Sequence, residues 1–205
     1  MAPPQQQQQQ QQPQPVGRPQ HSWLMRCIAL TALGLIILTI LVVIIIWVSV
    51  QPRRLKYSME HGSISAYNLT NDVLNANFHF VLRANNPNKR VSLYYDRIDV
   101  SVLYEDQILS VGGFAPFYQP RRNVTHLDLH LAAKNQKVYG AVARDLKVDR
   151  ASGDADLDVK IRAKIRFKIG VFKIHRKLKV LCESLRVPFT SSKGFQRVQC
   201  DVDVD

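Results

Sequence analysis

The chain has 205 residues and a formal net charge of +12, from 28 Lys and Arg against 16 Asp and Glu. With a glutamine-rich head and one apolar run set aside, roughly 150 residues remain, enough for a single domain with its own hydrophobic core. Three cysteines, with no Cys-x-x-Cys pair and no His–Cys cluster, exclude a zinc module.

Residues 1–22 read as a Gln/Pro-rich tail. The unbroken run Gln5–Gln12 has nothing to bury, and Pro3, Pro4, Pro13, Pro15 and Pro19 block helix and sheet. A disordered cytosolic tail is expected, either a tolerated repeat or a docking stretch. From Cys27 to Val50 no charged residue interrupts 24 positions. As a helix these make about 36 Å, against a hydrocarbon core of about 30 Å. Trp23 and Trp47 fit the two interfaces, and a membrane-spanning helix is predicted over 23–50. A cleaved signal peptide has a shorter apolar region, about 7–15 residues. Cys27 is either an acylation site or a small hydrophobe in the helix.

Arg18 and Arg26 are the only Lys, Arg, Asp or Glu residues before position 51, so the later part carries +10. Such a surface favours anionic partners such as lipid headgroups, acidic polysaccharide or nucleic acid, and it equally keeps a domain soluble. Arg53, Arg54 and Lys56 follow the apolar run, so the positive-inside rule does not orient it. Two acceptor triplets do: Asn68-Leu69-Thr70 and Asn123-Val124-Thr125 both follow the run, which points to an outward domain with glycosylation at Asn68 and Asn123. Cys182 and Cys200 add a third hint. In an exported domain this even pair reads as a disulfide, and in a reducing compartment as two free buried thiols.

Residues 51–65 are expected to be a juxtamembrane linker and 66–205 the domain. Strand-like alternation runs through Asn77–Ala84, Val91–Tyr104, Gln107–Val111 and Val124–Leu131. In the last of these, Thr125, Leu127, Leu129 and Leu131 face a core, and Val124, His126, Asp128 and His130 face away. Between 135 and 150 the period changes, and Val138, Val142 and Leu146 suggest a short helix. Residues 155–169 alternate again, with Leu157, Val159, Ile161, Ala163, Ile165, Phe167 and Ile169 inside. Lys160, Arg162, Lys164, Arg166 and Lys168 point outward, either as an ordinary solvated face or as a patch for anionic lipid or acidic polysaccharide. The segment after Gly170 continues as a further strand pair. The whole predicts a mainly β protein, an antiparallel β-sandwich preceded by one transmembrane helix.

No catalytic signature occurs: there is no Gly-x-Ser-x-Gly, no His-Glu-x-x-His and no phosphate loop. His126 and His130 lie about 13 Å apart if extended, too far to share one ion. Asp201, Asp203 and Asp205 read as a polar strand face. The basic run 160–179 lacks interleaved aromatic platforms, so nucleic-acid binding is not expected. No cofactor is expected.

Several motifs in order carry a family likeness. They are Tyr67-Asn68-Leu69-Thr70, Asn86-Pro87-Asn88-Lys89-Arg90, Tyr94-Tyr95-Asp96, Val102-Leu103-Tyr104, Phe114-Ala115-Pro116-Phe117-Tyr118-Gln119, Arg166-Phe167-Lys168-Ile169-Gly170, and the Cys182 to Cys200 ending. Over roughly 23–203 the chain resembles the plant NDR1/HIN1-like proteins of the late embryogenesis abundant group 2 (LEA-2) superfamily. The resemblance implies a fibronectin type III-like sandwich, a cytosolic tail, an outward domain at the plasma membrane or plasmodesmata, and no enzymatic activity. It implies a part in defence or stress signalling through membrane or apoplastic protein partners. The Asn-Pro-Asn turn is then either a tight structural connection or a binding loop. An Arg-Gly-Asp adhesion triplet is absent; the nearest sequence is Ser152-Gly153-Asp154.

Overall fold

The computed structural model describes residues 21–50, 53–189 and 194–205, so the glutamine-rich head lies outside the described residues. The chain divides into two compact units, Met1–Ser49 and Val50–Asp205. The first contains α1 (His21–Val50), which starts two residues earlier than predicted. Within it, Trp23–Ile45 is long and apolar enough to cross a membrane. Thr31 and Thr39 donate their hydroxyls to the carbonyls of Ile28 and Ile36, at 2.9 and 2.7 Å, so these polar groups are satisfied within the helix. A helix of this length and character fits a membrane anchor.

The second unit is built from β1 (Lys56–Thr70), β2 (Val73–Asn86), β3 (Val91–Tyr104), β4 (Gln107–Phe114), β5 (Phe117–Gln119), β6 (Asn123–Lys137), α2 (Gly140–Ser152), β7 (Asp154–Ile169), β8 (Phe172–Pro188) and β9 (Val198–Val204). All pairings are antiparallel, in the order β4-β3-β7-β8-β9-β1-β2-β6, with β5 on the edge of β3. The expected mainly β, antiparallel architecture is therefore present. The two halves of the sandwich are joined along β9, whose first residues pair with Tyr57–Met59 of β1 and whose last pair with Leu178–Leu181 of β8. At the opposite seam, side chains link β4 to β6: Ser110 Oγ donates to Ala132 O at 2.8 Å and Gln107 Nε2 to Lys137 O at 2.9 Å. The result is a near-barrel.

The expected linker over 51–65 is corrected by this structure. β1 begins at Lys56, and Tyr57, Ser58 and Met59 are buried. A register shift between Met59 and His61 interrupts the period of two, and Ser, Gly and His fill the strand, so the sequence reads as irregular. The predicted alternation elsewhere appears as buried rows: Leu127, Leu129 and Leu131 on β6, and Leu157, Val159, Ile161, Ala163 and Ile165 on β7.

The short helix is present too, as α2. It ends at Gly153, whose left-handed φ of 96° lets its N–H reach Asp149 O. Ala143 and Leu146 are buried beneath it. Tyr104 Oη donates to Asp149 Oδ2 and Tyr67 Oη to Leu146 O, while Arg150 lies over the Tyr67 and Phe189 rings. One end of the sandwich is thereby closed. The opposite end, where the chain enters at Arg53, holds the groups described next.

Candidate functional site: an asparagine clasp and a basic sheet face

β2 stops at Asn86 because Pro87 has no N–H to continue a ladder. The turn that follows folds its two asparagines inward; Asn86 and Asn88 are 0% and 3% exposed. Asn86 Nδ2 donates to Val91 O at 3.0 Å and to Pro120 O at 2.9 Å, and its Oδ1 accepts from the backbone and side chain of Asn88. Asn88 in turn binds the incoming chain. Its Oδ1 accepts Arg53 N–H at 2.6 Å, and its Nδ2 donates to Arg53 O at 3.0 Å. Arg122 N–H donates to Asn88 O, so the β5–β6 connection is held as well. Asn86, Pro87 and Asn88 form a clasp that fixes the residues emerging from position 53. Lys89 and Arg90 follow on the surface.

Strand alternation places Tyr95 inside and Tyr94 outside. Tyr95 Oη donates to Gln119 Oε1 at 3.1 Å, so in the 2.6 Å Tyr57–Tyr95 hydroxyl contact Tyr57 is the donor. Gln119, wholly buried, completes the chain by donating to Ala84 O. Burial pushes the Tyr95 hydroxyl up to about 12 and raises Tyr57 well above the ordinary phenol range, where Tyr95 beside it adds to the effect. Tyr94 packs on Tyr118 with Arg166 over its ring. Asp96 lies at a register shift, and the bulge aims its carboxylate at Arg166, which binds it through Nε at 2.8 Å and a terminal nitrogen at 2.5 Å. The hydrogen bond to Asp96 raises the Arg166 pKa.

The outward basic row of β7 therefore contains one neutralised member, Arg166. It also has a second row beside it. Register sets Lys168 against Lys173, Arg166 against His175, Lys164 against Lys177, and Arg162 against Lys179. Lys179 is bound by Asp203 and Asp205 of the chain's last residues, and the bond to Asp205 raises the Lys179 pKa. Lys164, Lys168, Lys173 and Lys177 have no ion-pair partner among the described residues. Like charges set opposite one another on a sheet destabilise it; the face is mainly cationic, although Asp96 and Asp205 adjoin Lys164 and Lys177.

The sequence matches the family model described as Late embryogenesis abundant protein, LEA_2, over residues 81–183. It is 33% identical to NDR1/HIN1-like protein 10 of Arabidopsis thaliana, covering 83% of this chain and 80% of that one. NDR1/HIN1-like protein 3 of the same plant is 35% identical over 78% of this chain and 72% of its own, and NDR1/HIN1-like protein 2 is 34% identical over 78% and 70%. The chain belongs to the LEA_2 family. The matched LEA_2 window contains both clasp asparagines, the Asp96–Arg166 pair and the double basic row. The residue that the clasp holds, Arg53, lies outside it.

Other residues singled out in the LEA_2 chain occupy varied settings. Cys182 of β8 and Cys200 of β9 are joined as a disulfide beside the point where β9 changes partner. Asn68 is exposed, and its Oδ1 accepts from Thr70. Asn123 is half-buried; its Oδ1 accepts from Thr125, which is tied to Gln119. His130 stacks on His79 of β2 at 4.4 Å, and His126 lies 3.1 Å from Glu60, so the two sequence-spaced histidines have separate partners. Among the described residues no group of three His, Cys, Asp or Glu side chains is arranged to hold a metal ion. Sequence reasoning did not link Asn88 to Arg53. It also placed no outward row on β8, although the register of a two-residue turn at Gly170 gives one directly.

Proposed function

We propose that this chain is a non-enzymatic, single-pass module of the plasma membrane that supports plant defence or stress signalling through protein contacts. Its N-terminal tail lies in the cytosol and its β-domain outside. The observation that carries the reading is similarity to NDR1/HIN1-like proteins over most of the chain. The clasp suits this role: by fixing Arg53 it holds the chain in place just before β1. An exposed sequon at Asn68 and the Cys182–Cys200 bridge support the outward placement, because disulfides persist in oxidising compartments. Partner recovery tests it. Proximity labelling from a C-terminal fusion in stressed or infected tissue should enrich a reproducible set of membrane or apoplastic proteins. Labelling indistinguishable from an anchored domain of unrelated fold, with normal resistance in a null plant, would count against it.

A second reading is favoured by the four lysines that make no ion pair among the described residues. The face they make binds anionic lipid or acidic polysaccharide. Retention on anionic surfaces should fall with salt and with reversal of Lys164, Lys168, Lys173 and Lys177 to Glu. Retention that ignored both would remove the electrostatic basis.

A further inference from the structure

We propose that the tip of the β7–β8 hairpin is a wedge that enters the interface of an anionic lipid bilayer. This rests on the second reading above and narrows its anionic surface to lipid.

Ile169 and Phe172 face each other across the two-residue turn Gly170-Val171. Gly170 has φ 58°, the left-handed geometry that tight two-residue turns use at their first position. The apex is therefore narrow and presents apolar groups at its extremity: Val171 is 88% exposed and Phe172 71%. Neither belongs to the core. β9 pairs with β8 only as far back as Lys177, so the hairpin projects past it.

The outward face behind the apex is cationic. Lys168 and Lys173 form the next outward pair behind it, and Lys164 and Lys177 lie about 13 Å further back. Between them His175 stands opposite Arg166, whose charge Asp96 offsets; Asp203 and Asp205 bind Lys179, and Asp99 lines the same face with Lys164 and Lys177. An apolar apex backed by lysines on one face complements a bilayer, in which anionic headgroups overlie hydrocarbon. An acidic polysaccharide would satisfy the lysines but offers valine and phenylalanine no apolar phase.

The covalent path agrees. A cleft of about 510 Å³ at the same end brings Arg53, Arg54 and Leu55 together with Ile169 and Ile174. The chain thus enters the domain beside the hairpin.

The test uses the full chain reconstituted in nanodiscs. Trp23 and Trp47, the chain's two tryptophans, are changed to Phe, and a single tryptophan is placed by Phe172→Trp. Tyr139→Trp, at the exposed start of α2, is the parallel control. In anionic bilayers containing acyl-brominated lipid, the tryptophan at 172 should lose roughly half its emission and the one at 139 should not. Changing the four lysines to Gln should abolish that loss, and equal loss in neutral bilayers would overturn the role given to them. Acetylation rates of the same lysines separate the two levels of the reading. Lysines protected by anionic lipid with an unquenched residue 172 would overturn the wedge and leave the electrostatic reading standing. Neither protection nor quenching would overturn both.

Discussion

The side chain of Asn88 holds the backbone of Arg53 from both sides, accepting its N–H at 2.6 Å and donating to its carbonyl at 3.0 Å. A carboxamide carries an acceptor oxygen and a donor nitrogen side by side, so it can do both at once. The contact joins positions 35 residues apart. It fixes the chain just before β1, where the domain would otherwise begin to fray.

Asn88→Ala removes both bonds to Arg53 and leaves Oδ1 of buried Asn86 with one of its two donors, the backbone N–H of residue 88. The expected cost is about 2 kcal/mol, measured as a shift in urea midpoint with unchanged slope. Asn88→Asp keeps the acceptor and loses the donor, so it should also destabilise. Trypsin should cut the Ala variant after Arg53 or Arg54 earlier than the parent. An unchanged midpoint together with an unchanged cleavage rate would show that the clasp does not hold this segment.

The buried tyrosine pair predicts a pH dependence. Both hydroxyls titrate higher in the folded chain than in the unfolded one, so between these values the folded chain holds more protons. Their contribution is constant below about pH 10 and is lost as pH rises toward 12. From Tyr95 alone, moved to about 12, the loss is about 3 kcal/mol. Tyr95→Phe deprives Tyr57 of its acceptor and Gln119 of its donor, whereas Tyr57→Phe deprives Tyr95 only of a donor. The first should therefore destabilise more, by about 1–3 kcal/mol, and both should flatten the alkaline decline. Urea titrations at pH 9 and 11 read both effects.

Cys182 and Cys200 close a segment of sequence separation 18 and secure β9 where it passes from one half of the barrel to the other. Replacing the pair by serine should cost about 3 kcal/mol. Amide exchange should rise first in β9 and in Tyr57–Met59, its partners on β1. Exchange that rose uniformly over the domain would contradict this local role for the bridge.

Strand periodicity made much of the domain legible. The rows headed by Leu127 and Leu157 are written in strict alternation; the spacing of Val138, Val142 and Leu146 signalled a helix, although Val138 precedes α2 and the helix buries Ala143 and Leu146. The β1 segment was not legible, because its bulge at Glu60 and its glycine and serines erase the period that signals a strand. In the basic row, the outward direction followed from Ile161 and Ile165 lying inside. The pairing of Arg166 with Asp96 depends on a bulge that sequence does not announce. Asn88 was marked by its turn, but its partner is 35 positions upstream. Nothing local to either residue encodes such a distance.

The central claim is an anchored chain whose β-domain lies outside the cell, and protease protection of sealed microsomes tests it most directly. With a C-terminal tag, the account predicts a protected domain and a mobility shift removed by deglycosylation. Exposed Asn68 should carry most of that shift, so Asn68→Gln should reduce it more than Asn123→Gln, whose target is half-buried. A tag digested in intact microsomes, with no shift, would place the domain in the cytosol and contradict the account.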